Sequence, residues 1–204
     1  MISMEFVITA LVVVLVPGTG VIYTVSTGLT GNRKSGIAAA AGCTLGIIPH
    51  LTTAITGLSA VLHMSAQAFQ IIKFAGCLYL LFLAWTMWNS SDSVNMNGKI
   101  RNGSILKIII KGLLINILNP KLTLFFFAFL PVFIKPEAGE PLKQMVLLGL
   151  VFMGMTFAVF ALYALLANLV QKYIPGTKFF LKKVHRTFSV IILILAVKLS
   201  FSRQ

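Results

Sequence analysis

Residues 108–134 read IIIKGLLINILNPKLTLFFFAFLPVFI, and this run determines the architecture of the chain. It is long and apolar enough to cross a membrane as a helix, which takes about 20 residues. Asn119-Pro120 interrupts the run near its middle, because proline lacks a backbone N–H and clashes with the carbonyl one turn earlier. Lys121 follows at once, at a depth where a charge costs about 2.5–3.5 kcal/mol. We therefore predict a broken membrane helix with a polar site at half depth.

Five more apolar runs flank this one, over residues 4–30, 36–62, 69–88, 145–170 and 184–199. The composition agrees with a membrane protein, since only 10% of the residues are charged against about 25% in soluble domains. The 204 residues leave no room for a soluble catalytic domain. We predict an all-α, multi-pass membrane protein with six transmembrane helices, forming a single membrane-embedded domain over residues 1–204 and having no enzyme activity.

The first run contains a matching interruption at Pro17-Gly18, so that a broken run opens each half of the chain. With three crossings per half, residues 1–89 and 104–204 would have opposite orientations in the membrane. This is the layout of inverted-repeat transporters, in which broken helices in matching positions mark the binding site. For either break alone, a simple proline kink is the alternative interpretation.

The charge distribution predicts the orientation. The chain has 17 Lys and Arg but only four acids, for a net charge of +13. Nucleic-acid binding would be one reason for such a balance, but the basic residues lie in the gaps between apolar runs, as the positive-inside rule requires. The first, third and fifth connections carry eleven of them, against four on the other side. We expect these three connections in the cytoplasm, both termini outside, and no nucleic-acid partner.

The two breaks suggest how a ligand is held. Freed backbone groups cannot remain bare in hydrocarbon, and a half-helix N-terminus offers N–H groups to a carboxylate, while the opposite end offers carbonyls to an ammonium group. Such a site fits a zwitterion such as an amino acid. Lys121 either binds the substrate carboxylate or caps carbonyls of the broken helix. The expected substrate-binding residues are Pro17, Gly18, Thr19, Gly20, Tyr23, Asn116, Asn119, Pro120 and Lys121.

His50 lies in the middle of the second run. Histidine is the side chain that changes charge near neutral pH, and no carboxylate lies in a run core, so His50 is the candidate for carrying a coupling proton. A neutral histidine hydrogen-bonded between helices is the alternative.

Two other classes of function were weighed. Cys43 and Cys77 could pair in a membrane thiol–disulfide electron carrier, although packing of two small residues is the simpler interpretation because no C-x-x-C is present. An ion or metal transporter would need acids within the membrane. We expect no metal and no cofactor, and without a phosphate-binding loop of the G-x-x-x-x-G-K-[ST] type any transport is secondary.

The same residues carry a family resemblance. Pro17-Gly18-Thr19-Gly20, followed by Gly28, Arg33, Gly36, Gly42 and Gly46, resembles the Pro-Gly-Pro motif and glycine-rich stretch of the lysine exporter (LysE/RhtB) family of bacterial amino-acid efflux proteins. Asn119-Pro120-Lys121, Leu124-Phe125-Phe126 and Pro131 resemble that family's fourth segment. Size and layout match over essentially the whole length, while Thr19 replaces the second proline of the motif.

The resemblance implies export of an amino acid or related small metabolite across the bacterial inner (plasma) membrane, driven by the proton gradient. The expected partners are this small-molecule substrate and the lipid bilayer, with a homo-oligomer as the alternative to a monomer.

Overall fold

The computed structural model describes residues 2–62, 104–135, 137 and 139–170, together with the single positions Phe74, Leu78, Leu81, Phe82, Trp85 and Val190. Within these residues, two helices are long and apolar enough to span a membrane, or four spans exist if each bent helix pair counts as one. These four coincide with the predicted runs 4–30, 36–62, 108–134 and 145–170. The runs 69–88 and 184–199, and with them Cys77, lie wholly or largely outside the described residues.

The first span is broken, as the sequence predicts. Helix α1 (Met4–Leu15) begins after Ser3, whose Oγ accepts a first-turn backbone N–H at 3.2 Å. It ends just before Pro17, which has no N–H to continue the hydrogen-bond ladder. Gly18 is extended, and α2 (Thr19–Thr30) begins directly after it. The two helices are bent by 56° relative to each other.

The second span is continuous over Arg33–Gly57. It comprises α3 (Arg33–Leu45) and α4 (Ile48–Leu62), which follow each other after a single turn. The span starts three residues earlier than the apolar run, because Asn32 caps it: its Oδ1 accepts the backbone N–H of Ser35 at 2.9 Å.

The next described span is broken as well. Helix α5 (Ile105–Ile117) ends before Asn119, and α6 (Pro120–Leu124) starts with the proline at its first position. The chain continues as a π-helical turn (Phe125–Phe129) and a 3-10 turn (Leu130–Phe133). The two halves of this span are bent by 53°, so both predicted breaks are confirmed.

The last described span is α7, a single helix over Pro141–Val170. It starts four residues before the predicted run, at a proline, which is favoured at the first helical position. In its first turn, Lys143 and Glu140 form an exposed ion pair at 2.8 Å.

Helices α3 and α5 are parallel and pack closely. The backbone of Ile109 lies where a side chain on Gly42 would be, and the backbone of Leu113 lies where one on Gly46 would be. Because both contacts advance in the same direction along the two helices, α3 and α5 start on the same side of the molecule. The absence of a Cβ at these two positions permits the close approach.

Helix α7 runs antiparallel to the second span. Ala164, near the end of α7, packs against Gly36 near the start of α3, while Gly149 packs against Leu51 of α4. Ala164 also contacts Gly28 near the end of α2. The ends of α2 and α7 and the starts of α3 and α5 therefore lie on one side of the molecule.

An aromatic cluster fills the core beside the second break. The rings of Phe125 and Phe152 stack with their centroids 4.3 Å apart, and Phe126 meets Phe152 edge to face at 5.4 Å. All three side chains are buried. Such pairs add about 0.5–1.5 kcal/mol each beyond area burial, so this cluster anchors the π-helical turn against α7.

Candidate functional site

The two breaks meet at Lys121. Its Nζ donates hydrogen bonds to the carbonyl oxygens of Val13 and Val16, each at 3.0 Å. These carbonyls belong to the last turn of α1 and its C-cap, where the helix has no amides of its own to pair with them and carries the negative end of its dipole. Of the two roles weighed for Lys121, carbonyl capping is the one seen, and the capped carbonyls belong to the first broken helix.

Other groups complete the end of α1. Tyr163 of α7 donates its hydroxyl proton to the carbonyl oxygen of Leu15 at 3.2 Å. The backbone N–H of Val16 donates to the carbonyl oxygen of Val12 at 3.0 Å. Side chains from two other spans thus donate hydrogen bonds to the carbonyls of this helix end. These carbonyls therefore do not need water as a partner.

Two asparagines organise the second break. Asn119 Oδ1 accepts the backbone N–H of Lys121 at 3.1 Å, and Asn119 Nδ2 donates to Asn116 Oδ1 at 3.2 Å. Asn116 Nδ2 in turn donates to the carbonyl oxygen of Cys43 in α3 at 2.7 Å. Both asparagines are buried, with Asn116 only 1% exposed, and their geometry is fixed by these bonds.

His50 attaches the second span to the same break. Its Nε2 lies 2.9 Å from the carbonyl oxygen of Asn116, and its Nδ1 lies 3.3 Å from Thr123 Oγ1. Since a carbonyl can only accept, Nε2 carries the proton and the hydroxyl of Thr123 can donate to Nδ1. This arrangement is the hydrogen-bonded histidine weighed above; transfer of a coupling proton stays a prediction.

A small cavity lies between the breaks, with room for roughly one water molecule. Its polar wall consists of Lys121, Asn116, Asn119 and Thr156, and its remaining wall is apolar or glycine. The other lining residues are Val13, Val14, Gly20, Val21, Leu122, Phe152 and Phe160. The cavity therefore combines one cation, three neutral polar side chains and the first turn of α2.

The structure brings part of the predicted set together. Gly20, Asn116, Asn119 and Lys121 line the cavity, and a Cβ on Gly18 would come within 3.4 Å of Lys121 Nζ. Pro17, Thr19 and Pro120 form the breaks without lining the cavity, and the last two are exposed. Tyr23 is buried away from it, with its hydroxyl donating to the carbonyl oxygen of Ile108 at 2.9 Å.

The residues predicted from the sequence do not include Tyr163, Thr123, the carbonyls of Val13 and Val16, or Thr156. The carbonyls of Val13 and Val16 have no side-chain signature, so no residue pattern could have identified them. Thr156 did carry a signal, because it is a single polar residue within the apolar run 145–162. Its Oγ1 donates to the carbonyl oxygen of Phe152 at 2.8 Å.

Cys43 is fully buried in the packing between α2 and α3. Its Sγ lies 3.8 Å from both Thr24 Oγ1 and the carbonyl oxygen of Gly20. Within the described part of the chain, no group of three or more His, Cys, Asp or Glu side chains is placed to hold a metal ion. No carboxylate forms an ion pair with Lys121 there either.

Comparisons with known proteins give the family. The profile described as LysE type translocator matches residues 11–203. A homoserine/homoserine lactone efflux protein of Salmonella typhimurium is 27% identical over 199 residues, which cover 98% of this chain and 96% of the relative. A leucine efflux protein of an Enterobacter species is 29% identical over 165 residues, covering 76% of this chain and 77% of the relative. No solved structure matches the chain.

Proposed function

This chain belongs to the LysE type translocator family, and on that premise we propose that it is a secondary transporter that exports an amino acid or a related small metabolite across the bacterial inner (plasma) membrane. The relatives named for efflux of homoserine, homoserine lactone and leucine support this substrate class. The observation that carries the proposal is the contact between the two breaks, where Lys121 binds the end of α1.

The site suits a carboxylate. Lys121 supplies an ammonium group in the cavity wall, and Gly20 and Val21 of the first turn of α2 line the same cavity. A helix N-terminus presents unpaired N–H groups and the positive end of the helix dipole. A substrate carboxylate between these two features would compensate both the charge of Lys121 and the orphan amides of α2.

The cavity between the two breaks does not accommodate a substrate as it stands. The cavity is far smaller than an amino acid, and the ammonium group of Lys121 is already bound to two carbonyls. Substrate therefore enters only when the halves of the broken spans move apart at their breaks, and Lys121 exchanges its carbonyl partners for the substrate. Exchange of this kind links substrate binding to a change in the angle of the broken helices, which alternating access requires.

We propose six spans in two inverted halves. The second span starts on the same side as α5 and ends on the opposite side, which supports a further crossing by the chain between residues 62 and 105. The broken pair α1–α2 and the broken pair α5–α6 run in opposite directions, because Gly20 of α2 lies beside Asn116 at the end of α5, and Tyr23 lies beside Ile108 nearer its start. This antiparallel pairing supports halves 1–89 and 104–204.

The orientation proposed from the charges is supported by the same geometry. Arg33, Lys34, Lys107 and Lys111 are all exposed and belong to the starts of α3 and α5, which share one side of the molecule. By the positive-inside rule this side faces the cytoplasm. Both termini then lie outside the cytoplasm if the remaining spans cross as proposed.

Proton coupling through His50 is the second part of the proposal. The ring links α4 to the carbonyl of Asn116, whose side chain lines the cavity. Protonation at Nδ1 would turn that atom from an acceptor into a donor and change its bond with Thr123. A proton on His50 would thereby alter the second break, next to the substrate.

The test is export from proteoliposomes loaded with radiolabelled leucine, homoserine or other amino acids, with an imposed proton gradient. We expect release by the wild type and by Lys111→Met, and loss of release by Lys121→Met. Lys111 is the matched control, since it is an exposed lysine of the same span whose Nζ lies 5.6 Å from the Tyr23 ring centroid. Failure of the wild type to release any amino acid would count against the proposal.

A further inference from the structure

The ammonium group of Lys121 is bound by two backbone carbonyl oxygens at the end of α1. These oxygens, the carbonyl pair, belong to Val13 and Val16, and each lies 3.0 Å from Lys121 Nζ. The two bonds use two of the three donors that a primary ammonium group carries. The negative end of the α1 dipole adds to the attraction for a cation. Two converging acceptors and a favourable dipole have the chemistry that suits a primary ammonium group.

We propose that the carbonyl pair binds the primary ammonium group of the transported substrate, and that Lys121 occupies this position as a tethered surrogate while substrate is absent. That the ligand is a transported substrate rests on the proposed function, but binding of an amine to the carbonyl pair can be tested without transport. When substrate binds, its carboxylate forms an ion pair with Lys121 and its ammonium group donates hydrogen bonds to the carbonyl pair. Every charged group of a zwitterion then has a partner, and no carbonyl of the α1 end is left bare.

The neighbouring residues support this exchange. Gly18 is extended between α1 and α2 and has no side chain that could cover the lysine ammonium group. Even an added Cβ would lie 3.4 Å from Nζ, which is ordinary van der Waals contact. Lys121 is partly buried, and among the described residues no carboxylate forms an ion pair with it. A lysine held only by neutral carbonyls is more readily drawn to an anionic ligand than one that already has a carboxylate partner.

The exchange makes a specific demand on the ligand. An amine without a carboxylate, such as the lactone of an amino acid, would have to expel Lys121 and leave that charge without a partner, so the wild type should bind it more weakly than the zwitterion. A trimethylated nitrogen has no N–H donor, and an acetylated nitrogen is uncharged and keeps only one, so neither can satisfy both oxygens of the carbonyl pair. The wild type should therefore carry a zwitterion with a primary ammonium group, and reject its N-acetyl and N-trimethyl derivatives.

The first experiment uses propylammonium, which reproduces the atoms that Lys121→Ala removes. In purified protein, propylammonium at ten times its dissociation constant should raise the melting temperature of Lys121→Ala by about 4 °C. The same concentration should not shift the wild type or Lys111→Ala, and propanol, which lacks the charge, should not shift any of the three. Equal shifts in Lys121→Ala and Lys111→Ala, or no saturable shift in Lys121→Ala, would overturn the inference.

The second experiment uses wild-type protein, so that it stands even where Lys121→Ala does not fold. Export of the best amino acid is compared with that of its N-acetyl and N-trimethyl derivatives, both of which retain the carboxylate. Loss of export for both derivatives supports the carbonyl pair, and export of either at the rate of the parent overturns it. Stabilisation of Lys121→Ala by propylammonium without any amino-acid export would support amine binding by the carbonyl pair and overturn the proposed function instead.

Discussion

The Nζ atom of Lys121 lies 3.0 Å from the carbonyl oxygen of Val16, which precedes it by 105 residues. This contact joins the two broken spans at the level of their breaks, and it places the lysine where α1 ends. One side chain from the second break thus stabilises the end of the first broken helix, and any movement that separates the breaks must release it.

Substitution of Gly20 should disturb the junction more than substitution of Gly18. A Cβ on Gly20 would come within 2.5 Å of Asn116 Oδ1, and Asn116 is held by the carbonyl of Cys43. We expect Gly20→Ala to lower the free energy of unfolding by about 1–3 kcal/mol, as overpacking does, and to impair export.

Gly18→Ala is the matched control, because its backbone is extended, which any residue can adopt, and its nearest contact is at 3.4 Å. Melting temperatures of both variants in detergent provide the measurement. Equal melting temperatures would show that the packing between α2 and Asn116 is looser than described.

Replacement of His50 should separate proton coupling from substrate binding. In His50→Gln the side-chain amide can still donate to the carbonyl of Asn116. His50→Ala removes this bond at a cost of about 0.5–1.5 kcal/mol and leaves that carbonyl with the backbone N–H of Asn119 at 3.1 Å. We expect His50→Gln to retain exchange of labelled for unlabelled substrate across liposomes and to lose export driven by a proton gradient.

The two transport assays serve as controls for each other, since exchange needs no gradient. A purely structural His50 would leave both activities intact in His50→Gln or abolish both. Either result would remove the proton-coupling role from this residue.

The two tyrosine hydroxyls should have different effects. Tyr23→Phe removes a bond to the carbonyl of Ile108, outside the cavity lining, and should cost about 1 kcal/mol of stability with little change in KM. Tyr163→Phe frees the carbonyl of Leu15 beside the carbonyl pair and should change KM. KM and melting temperature are measured for both variants; a raised KM in Tyr23→Phe alone would place the substrate on the other side of α2.

Removal of both cysteines should leave transport intact. Cys43 is fully buried in helix packing, so Cys43→Ala combined with Cys77→Ala is expected to cost stability of about 1 kcal/mol from lost packing, with export retained. Export by this double variant in liposomes, compared with wild type under oxidising and reducing conditions, is the measurement. Loss of function together with redox sensitivity of the wild type would favour the thiol–disulfide alternative.

The positions of the four described spans and of both breaks followed from local chemistry. Pro17 and Asn119-Pro120 interrupt their runs because proline removes a donor wherever it stands in a helix, and asparagine caps the helix that follows. Asn32 as a cap accounts for the earlier start of the second span, and a proline at the first helical position accounts for that of α7. Polar residues close to the breaks, Asn116 and Lys121 among them, were identified because exposure of a polar group to lipid is unfavourable in free energy.

Only the tertiary structure decided which groups meet. Tyr23 is polar and close to a break in sequence, yet the turn of α2 directs its hydroxyl to α5. The partners of Lys121 are backbone oxygens of two valines, and backbone carbonyls look alike in every residue type. Their availability depends on where α1 ends and on how the two broken spans cross, which is a property of packing between residues more than a hundred positions apart.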